Sequence, residues 1–264
     1  MTRNDKLQIY DLLKKASDSI YGFSSPSFPK ETPNLIDDME AAPSKGSSFS
    51  NEIMNDIRSG SEETSNGERL MRIAKKISEC RRCRLCEGRT NTVSGMGVEN
   101  PLVLVVGEGP GEQEDLQGLP FVGPAGILLD KMLAAISLSR TTNCYIANIV
   151  KCRPPRNRTP LPEEADACIS FLHAQIAVLK PKAILAAGST AVKNLLRTTN
   201  GVIKLHGQIL DYKGIPLMTT YHPSALLHNP ANKRTAWEDL KIFRAMLRQI
   251  DSDYAALSES QIQK

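Results

Sequence analysis

LVLVVGEGPGEQEDLQGLPFVG, residues 102–123, is the stretch on which the fold turns. Leu102–Val106 is an unbroken apolar run halted by Gly107. A strand buried on both faces of a parallel sheet has this pattern, whereas a half-exposed strand would alternate. A polar, Gly-rich loop follows, and then residues 123–136 (GPAGILLDKMLAAI) take up helical spacing. The same alternation continues outward. Tyr145–Val150 (YIANIV), Ala183–Ala187 (AILAA) and Pro216–Tyr221 (PLMTTY) read as three more strands. Between and after them lie helices at Pro162–Leu179, at 189–197 and at 232–249, the last carrying Trp237, Leu240, Phe243 and Met246. Glu163 and Glu164 in the first turn of the Pro162 helix suit its dipole. Upstream, Leu70, Ile73, Ala74 and Ile77 are at helical spacing and lead into a run of cysteines. Strands alternating with helices imply a parallel sheet covered on both faces. In such a fold a site lies at the carboxyl ends of the strands. Three unusual loops fall there: 107–123 after the first strand, KCRPPRNR (151–158) after the second, and HPSALLHNP (222–230) after the fourth.

The 264 residues are 41% hydrophobic and 23% charged, ample for one core and a tail. No stretch approaches the roughly eighteen apolar residues of a spanning helix, and the charged start MTRNDKLQIYDLLKK does not resemble a signal peptide. A cytoplasmic, nucleoid-associated protein is the expectation, with its six cysteines reduced. Residues 1–67 hold 7 Lys and Arg against 11 Asp and Glu, a balance of −4. The remaining 26 against 18 give +8. A basic body with an acidic tail fits a polyanion as partner, although a soluble domain with a basic surface accounts for the same balance. Residues 22–67, rich in Ser, Pro, Gly and acid, lack either structural period and read as disordered. Ile9, Leu12, Leu13, Ala16 and Ile20 share one face of a short helix that is marginal alone or docks a protein partner.

The loops carry chemistry of differing specificity. Gly107, Gly109 and Gly111 form a tight turn that allows close backbone approach. It is neither a P-loop, since no Gly-Lys-Ser/Thr follows, nor a dinucleotide fingerprint, since Glu112 and Glu114 would face a pyrophosphate. Cys80-x2-Cys83 is a metal-like pair that Cys152 and Cys168 could complete, for zinc as readily as for iron–sulfur. Cys86 and Cys144 are left over, Cys144 as a core thiol. His222 alone reads as a helix cap or a satisfied core histidine, and Phe121 alone as core.

Taken in order, C-x2-C, GEGPGEQED…GLPFVG, an Asn at a strand end, KCRPPxNR and HPSALL closely resemble the type-4, iron–sulfur uracil-DNA glycosylases. The resemblance runs from about Cys80 to Leu247 and leaves residues 1–67 outside. It implies an α/β/α sandwich with a four-stranded parallel sheet, hydrolysis of the N-glycosidic bond of deoxyuridine in single- or double-stranded DNA, and a monomer. It implies a uracil pocket of Gly107, Glu108, Gly109, Phe121, Asn148 and His222, with Phe121 stacking on the flipped base. Asn148 would read the uracil edge, His222 would donate to uracil O2, and Glu114 would form the pocket wall or place the water. The related classical enzymes carry an Asp in the turn for that water; Gly109 stands there in this chain.

Leu226 falls at the wedge position, and His228 replaces the Arg common after the Leu pair. Cys80, Cys83, Cys152 and Cys168 would bind a structural [4Fe–4S] cluster. Arg153, Arg156 and Arg158, with Arg81, Arg82, Arg84 and Lys151, would contact DNA phosphates. The expected domains are an extension at 1–67, a glycosylase domain at 68–250 and a flexible tail at 251–264. Two rivals remain: the sister iron–sulfur glycosylases with broader substrates, whose first motif is more apolar, and a non-catalytic iron–sulfur nucleic-acid-binding protein.

Overall fold

The computed structural model describes residues 64–262. The Ile9–Ile20 segment and the Ser/Pro-rich stretch lie outside those residues, except for the last four positions of the extension. The first helix among the described residues, α1 (Asn66–Glu79), starts there. Ser65 caps it by accepting from the Glu68 amide at 3.2 Å, while the Glu68 carboxylate accepts from the Ser65 amide at 3.0 Å. Ile73 and Ile77 form its buried stripe. A four-residue helix, α2 (Leu85–Gly88), follows the cysteine pair.

The sheet has six strands: β1 (Met96–Gly97), β2 (Val103–Gly107), β3 (Cys144–Asn148), β4 (Ala183–Ala187), β5 (Ile209–Tyr212) and β6 (Ile215–Thr220). Their order is β1-β3-β2-β4-β6-β5. The inner four are parallel; β1 and β5 pair antiparallel at the two edges. The expectation of a four-stranded parallel sheet is thus corrected to a mixed sheet of six. The four strands with apolar runs are those inside, where both faces are covered. The helices are α3 (Glu112–Gln117), α4 (Pro124–Ala134), α5 (Pro162–Leu179), α6 (Ser189–Leu196), α7 (Val202–Leu205), α8 (Pro223–His228), α9 (Lys233–Ile250) and α10 (Ser252–Ile262).

Two apolar cores flank the sheet. Leu104, Val106, Ile184 and Ala186 face α1, α5 and α6, while Val103, Val105, Ile146 and Leu185 face α4, α9 and Tyr254 of α10. Alternate residues of each strand therefore feed opposite layers, as a three-layer sandwich requires. The expected flexible tail after Asp251 is instead α10. Tyr254 is buried and its hydroxyl donates to the Ile136 carbonyl, and Asp251 accepts from the Tyr254 amide at 2.7 Å. The anchoring aromatic, its satisfied hydroxyl and the buried Ser258 seat this helix against the body.

Candidate active site

β2 and β3 end side by side, with Gly107 opposite Asn148. A methyl group on Gly107 would lie 2.5 Å from Asn148 Oδ1 and 2.6 Å from Phe121 Cζ. Only glycine fits where the amide and the ring edge converge. Asn148 is 2% exposed, and its Oδ1 is buried with no hydrogen-bond partner. Phe121 is buried too, and its ring centroid lies 5.6 Å from that of His222, tilted by 36°.

His222 follows β6 and caps α8. Its Nδ1 accepts from the Ser224 amide at 3.2 Å and lies 2.7 Å from Ser224 Oγ. An amide can only donate, so Nδ1 is the acceptor and the neutral ring carries its proton on Nε2. Nε2 is likewise buried without a partner. Burial pushes the His222 pKa down to about 4, against a weaker opposing pull from Glu114. The imidazole is therefore neutral at physiological pH, with one donor aimed at nothing in the protein. Gly188, at φ +91°, allows the approach: a Cβ there would come within 2.8 Å of His222 Cβ. Nδ1 thus serves the helix cap, which leaves Nε2 unengaged.

Glu114 accepts from the amides of Gly111 (3.0 Å), Val122 (2.9 Å) and Gly123 (2.8 Å). Its carboxylate ties the Gly-rich turn to the loop carrying Phe121, which suits a pocket wall and leaves it unsuited to activating water. Glu108 accepts from the Thr190 hydroxyl at the start of α6. Gly109 faces Val150, whose Cγ2 would lie 2.6 Å from an added Cβ, so an Asp at this position would collide.

The remaining expected residues divide. Leu226 is only 1% exposed and packs in the core, which corrects its placement as the wedge; Leu227 beside it is 42% exposed. In this pair of α8, Leu226 faces inward and Leu227 outward. Arg158 makes two bonds to the buried Glu164 carboxylate, at 2.7 and 2.8 Å, which hold that carboxyl low and staple the start of α5. It is thus engaged where a free phosphate contact was expected. Lys151 is corrected outright: it is 1% exposed, and Nζ donates to the Asn148 carbonyl (2.9 Å) and to Gln175 Oε1 (2.7 Å). Arg82 donates to Ser170 Oγ at 3.0 Å. Arg84, Arg153 and Arg156 line a cleft with Leu85, Pro154 and Pro155. Arg153 bonds Asn157 Oδ1 at 2.8 Å, while Arg156 and Asn157 both have positive φ, near 54° and 55°.

Cys80, Cys83, Cys152 and Cys168 surround one small space, together with Cys86, Ile77 and Phe171. Cys144 belongs to the other core. Among the described residues no group of three or more His, Cys, Asp or Glu side chains is placed to hold a single metal ion. Arg89 Nη1 donates to Cys152 Sγ at 3.2 Å and the Lys151 amide to Cys168 Sγ at 3.3 Å. Burial pushes the Cys168 thiol up to about 12 and raises Cys83 and Cys152. Five cysteines thus line one space, Cys152 and Cys168 buried and Cys80, Cys83 and Cys86 half-buried, with N–H donors aimed at two of the sulfurs; such a sulfur-lined space suits a multi-iron group better than one zinc ion. Thr190, Ser224, Gly188 and Leu227 escaped sequence reasoning. Ser224 and Leu227 lie within the HPSALL motif, but Thr190 and Gly188 carry no local signal.

A buried amide, a neutral histidine and a buried aromatic ring thus gather at the carboxyl edge of the parallel strands, where open α/β sheets take their ligands. The chain belongs to the uracil DNA glycosylase superfamily, whose family model matches residues 94–241. Among its relatives is a type-4 uracil-DNA glycosylase of Thermotoga maritima, 41% identical over 186 residues, or 69% of this chain and 96% of that one. A type-4 uracil-DNA glycosylase of Pyrobaculum aerophilum is 39% identical over 182 residues (66% and 92%). A type-5 uracil-DNA glycosylase of the same organism is 33% identical over only 116 residues (43% and 48%). No helix among the described residues is long and apolar enough to cross a membrane.

Proposed function

We propose that this protein is a DNA repair glycosylase that flips uracil out of DNA and hydrolyses its N-glycosidic bond, leaving an abasic site. The observation that carries this is the pair of orphaned buried atoms, Asn148 Oδ1 beside Gly107 and His222 Nε2 on the ring that neighbours Phe121. Unpartnered buried polar groups are costly unless a ligand satisfies them. The uracil edge does so: Oδ1 accepts from N3–H while the Asn148 amide group donates to O4. Cytosine reverses both and leaves two groups unpaired, a basis for strong rejection. Phe121 stacks on the base. His222 Nε2–H donates to O2, where charge gathers as uracil departs; a neutral donor of low basicity keeps its proton and acts electrostatically. Water then attacks the oxocarbenium-like sugar. Glu114 is held by three amides, so Glu108, fixed by Thr190, is the acid of this turn left to orient that water.

Leu227 takes the wedge role from Leu226, and Arg84, Arg153 and Arg156 supply phosphate contacts. Cys80, Cys83, Cys152 and Cys168 would hold a [4Fe–4S] cluster, which when bound cross-links the cysteine pair after α1 to α5 and to the loop after β3. DNA single- or double-stranded is the partner, and the protein acts as a cytoplasmic monomer, with the extension at 1–67 as the segment a protein partner would bind. The test is uracil release from single- and double-stranded oligonucleotides, with hypoxanthine- and xanthine-containing DNA as competitors. Release of uracil alone is expected. Broad release points to the sister group, and binding without release to a non-catalytic protein.

A further inference from the structure

Phe121 stands in a left-handed backbone conformation, φ 53°, that non-glycine residues avoid. Such a conformation persists only where the surroundings over-determine it. Here the surroundings are specific. Arg140, in the turn before β3, donates from Nη1 to the Pro120 carbonyl (2.9 Å) and from Nη2 to the Phe121 carbonyl (3.0 Å). The same guanidinium is oriented by Asp130 of α4, with Nε and Nη2 at 3.0 and 2.8 Å from one carboxylate oxygen. The Arg140 side chain is only 11% exposed. From the other side α4 closes against the loop: a Cβ on Gly126 would lie 1.9 Å from the Phe121 oxygen. The loop is thus gripped at two successive carbonyls by one planar cation, a task that the single ammonium of lysine cannot reproduce.

We propose that Arg140, set by Asp130, is a positioning residue for uracil excision: it holds the Phe121 backbone in the conformation that lays the ring beside His222 and Asn148. This rests on the proposed function. Arg140 touches neither base nor DNA in this scheme and acts only through Phe121.

The experiment is a double-mutant cycle on the full chain. Single-turnover excision is measured for the wild type, Arg140→Met, Arg140→Lys, Phe121→Ala and the Phe121→Ala/Arg140→Met pair, each checked for folding by thermal denaturation. Displacing the ring by about 1 Å predicts a rate about 10- to 100-fold lower for Arg140→Met, with Arg140→Lys in between. In the Phe121→Ala background, Arg140→Met should add less than about twofold, because the ring it positions is gone. Equal losses in both backgrounds would make Arg140 a general structural residue and overturn the proposal, as would a wild-type rate in folded Arg140→Met. If Arg140→Met does not fold, Asp130→Asn replaces it in both backgrounds, with an expected loss of about threefold that vanishes without Phe121. A wild type that releases no uracil defeats the functional reading instead. The positioning claim is then decided by a crystal structure of the Arg140→Met or Asp130→Asn protein, where an unchanged positive φ at residue 121 overturns it.

Discussion

Replacing Gly107 by alanine adds one methyl group where Asn148 and Phe121 converge. Its carbon would lie 2.5 Å from Asn148 Oδ1, 2.6 Å from Phe121 Cζ and 2.8 Å from Phe121 Cε2, where ordinary contact begins at 3.4 Å. The amide and the ring must each retreat by nearly 1 Å. Gly107 has no positive φ, so the backbone itself accepts alanine and the damage is confined to packing. Overpacking of this kind costs about 1–3 kcal/mol, or a fall in Tm of about 2–10 °C for a domain of this size. The effect on chemistry is larger, because a misplacement of about 1 Å lowers rates about 100-fold. Single-turnover uracil release, with DNA in the presence of excess enzyme, should therefore drop by about 100-fold while Tm falls modestly. Gly88→Ala is the control: a methyl there meets nothing within 4 Å, and both rate and Tm should stay unchanged. A folded Gly107→Ala protein that excises uracil at the wild-type rate would show that the slot beside Asn148 and Phe121 is not where the base lies.

Three further outcomes are expected. His222→Ala should lower the single-turnover rate about 10²–10³-fold, with affinity for abasic DNA retained. The acid limb of the wild-type rate–pH profile should break near about 4, where the buried ring gains its proton, and a break near pH 6.5 would contradict the buried neutral imidazole. The same depressed pKa means the unfolded chain binds the proton first, so stability falls with pH between about 6.5 and about 4, by up to about 1.4 kcal/mol per unit for this group. Cys168→Ser should lower iron and sulfide content and Tm together, whereas Cys144→Ser should leave iron and sulfide unchanged; metal analysis of anaerobically purified protein decides, and stoichiometric zinc without sulfide would overturn the cluster assignment. Removal of residues 1–63, which leaves the Ser65 cap intact, should preserve excision and tighten non-specific DNA binding most at low salt, as measured at two salt concentrations; loss of excision in a folded protein would place the extension inside the catalytic unit.

Legibility followed burial. The four inner strands announced themselves as apolar runs because both their faces are covered. β1 is two residues long and has no period to read, and β5 (ILDY) sits at an edge with Asp211 exposed, so neither stood out. α10 was missed because its contacts are distant in sequence, such as that of Tyr254 with a carbonyl 118 residues away. In the site, the residues with distinctive chemistry fell together as expected: Gly107, Phe121, Asn148 and His222. What failed was inference from charge and position alone. Lys151 stands among arginines yet is buried by two acceptors that no local pattern reveals. Arg158 is paired to Glu164 six residues on, a contact set by where the chain turns into α5. Leu226 and Leu227 are chemically alike, and only the docking of α8 on α4 decides which one faces inward.

The sheet order has a consequence for the chain as it leaves the ribosome. β2 is made early, yet it occupies the middle of the sheet and waits for β3 on one side and β4, some 76 residues later, on the other. β6 must then add beyond β4 before His222 can join Gly107 and Asn148. Parallel neighbours of this kind cannot pair until their crossovers are complete. A nascent chain that has passed β3 but not yet β6 therefore carries Asn148 without His222. Gly107, Phe121 and Asn148 can be in place once β2 and β3 have paired, and the cluster is completed only when β6 has joined the sheet and brought His222 to it.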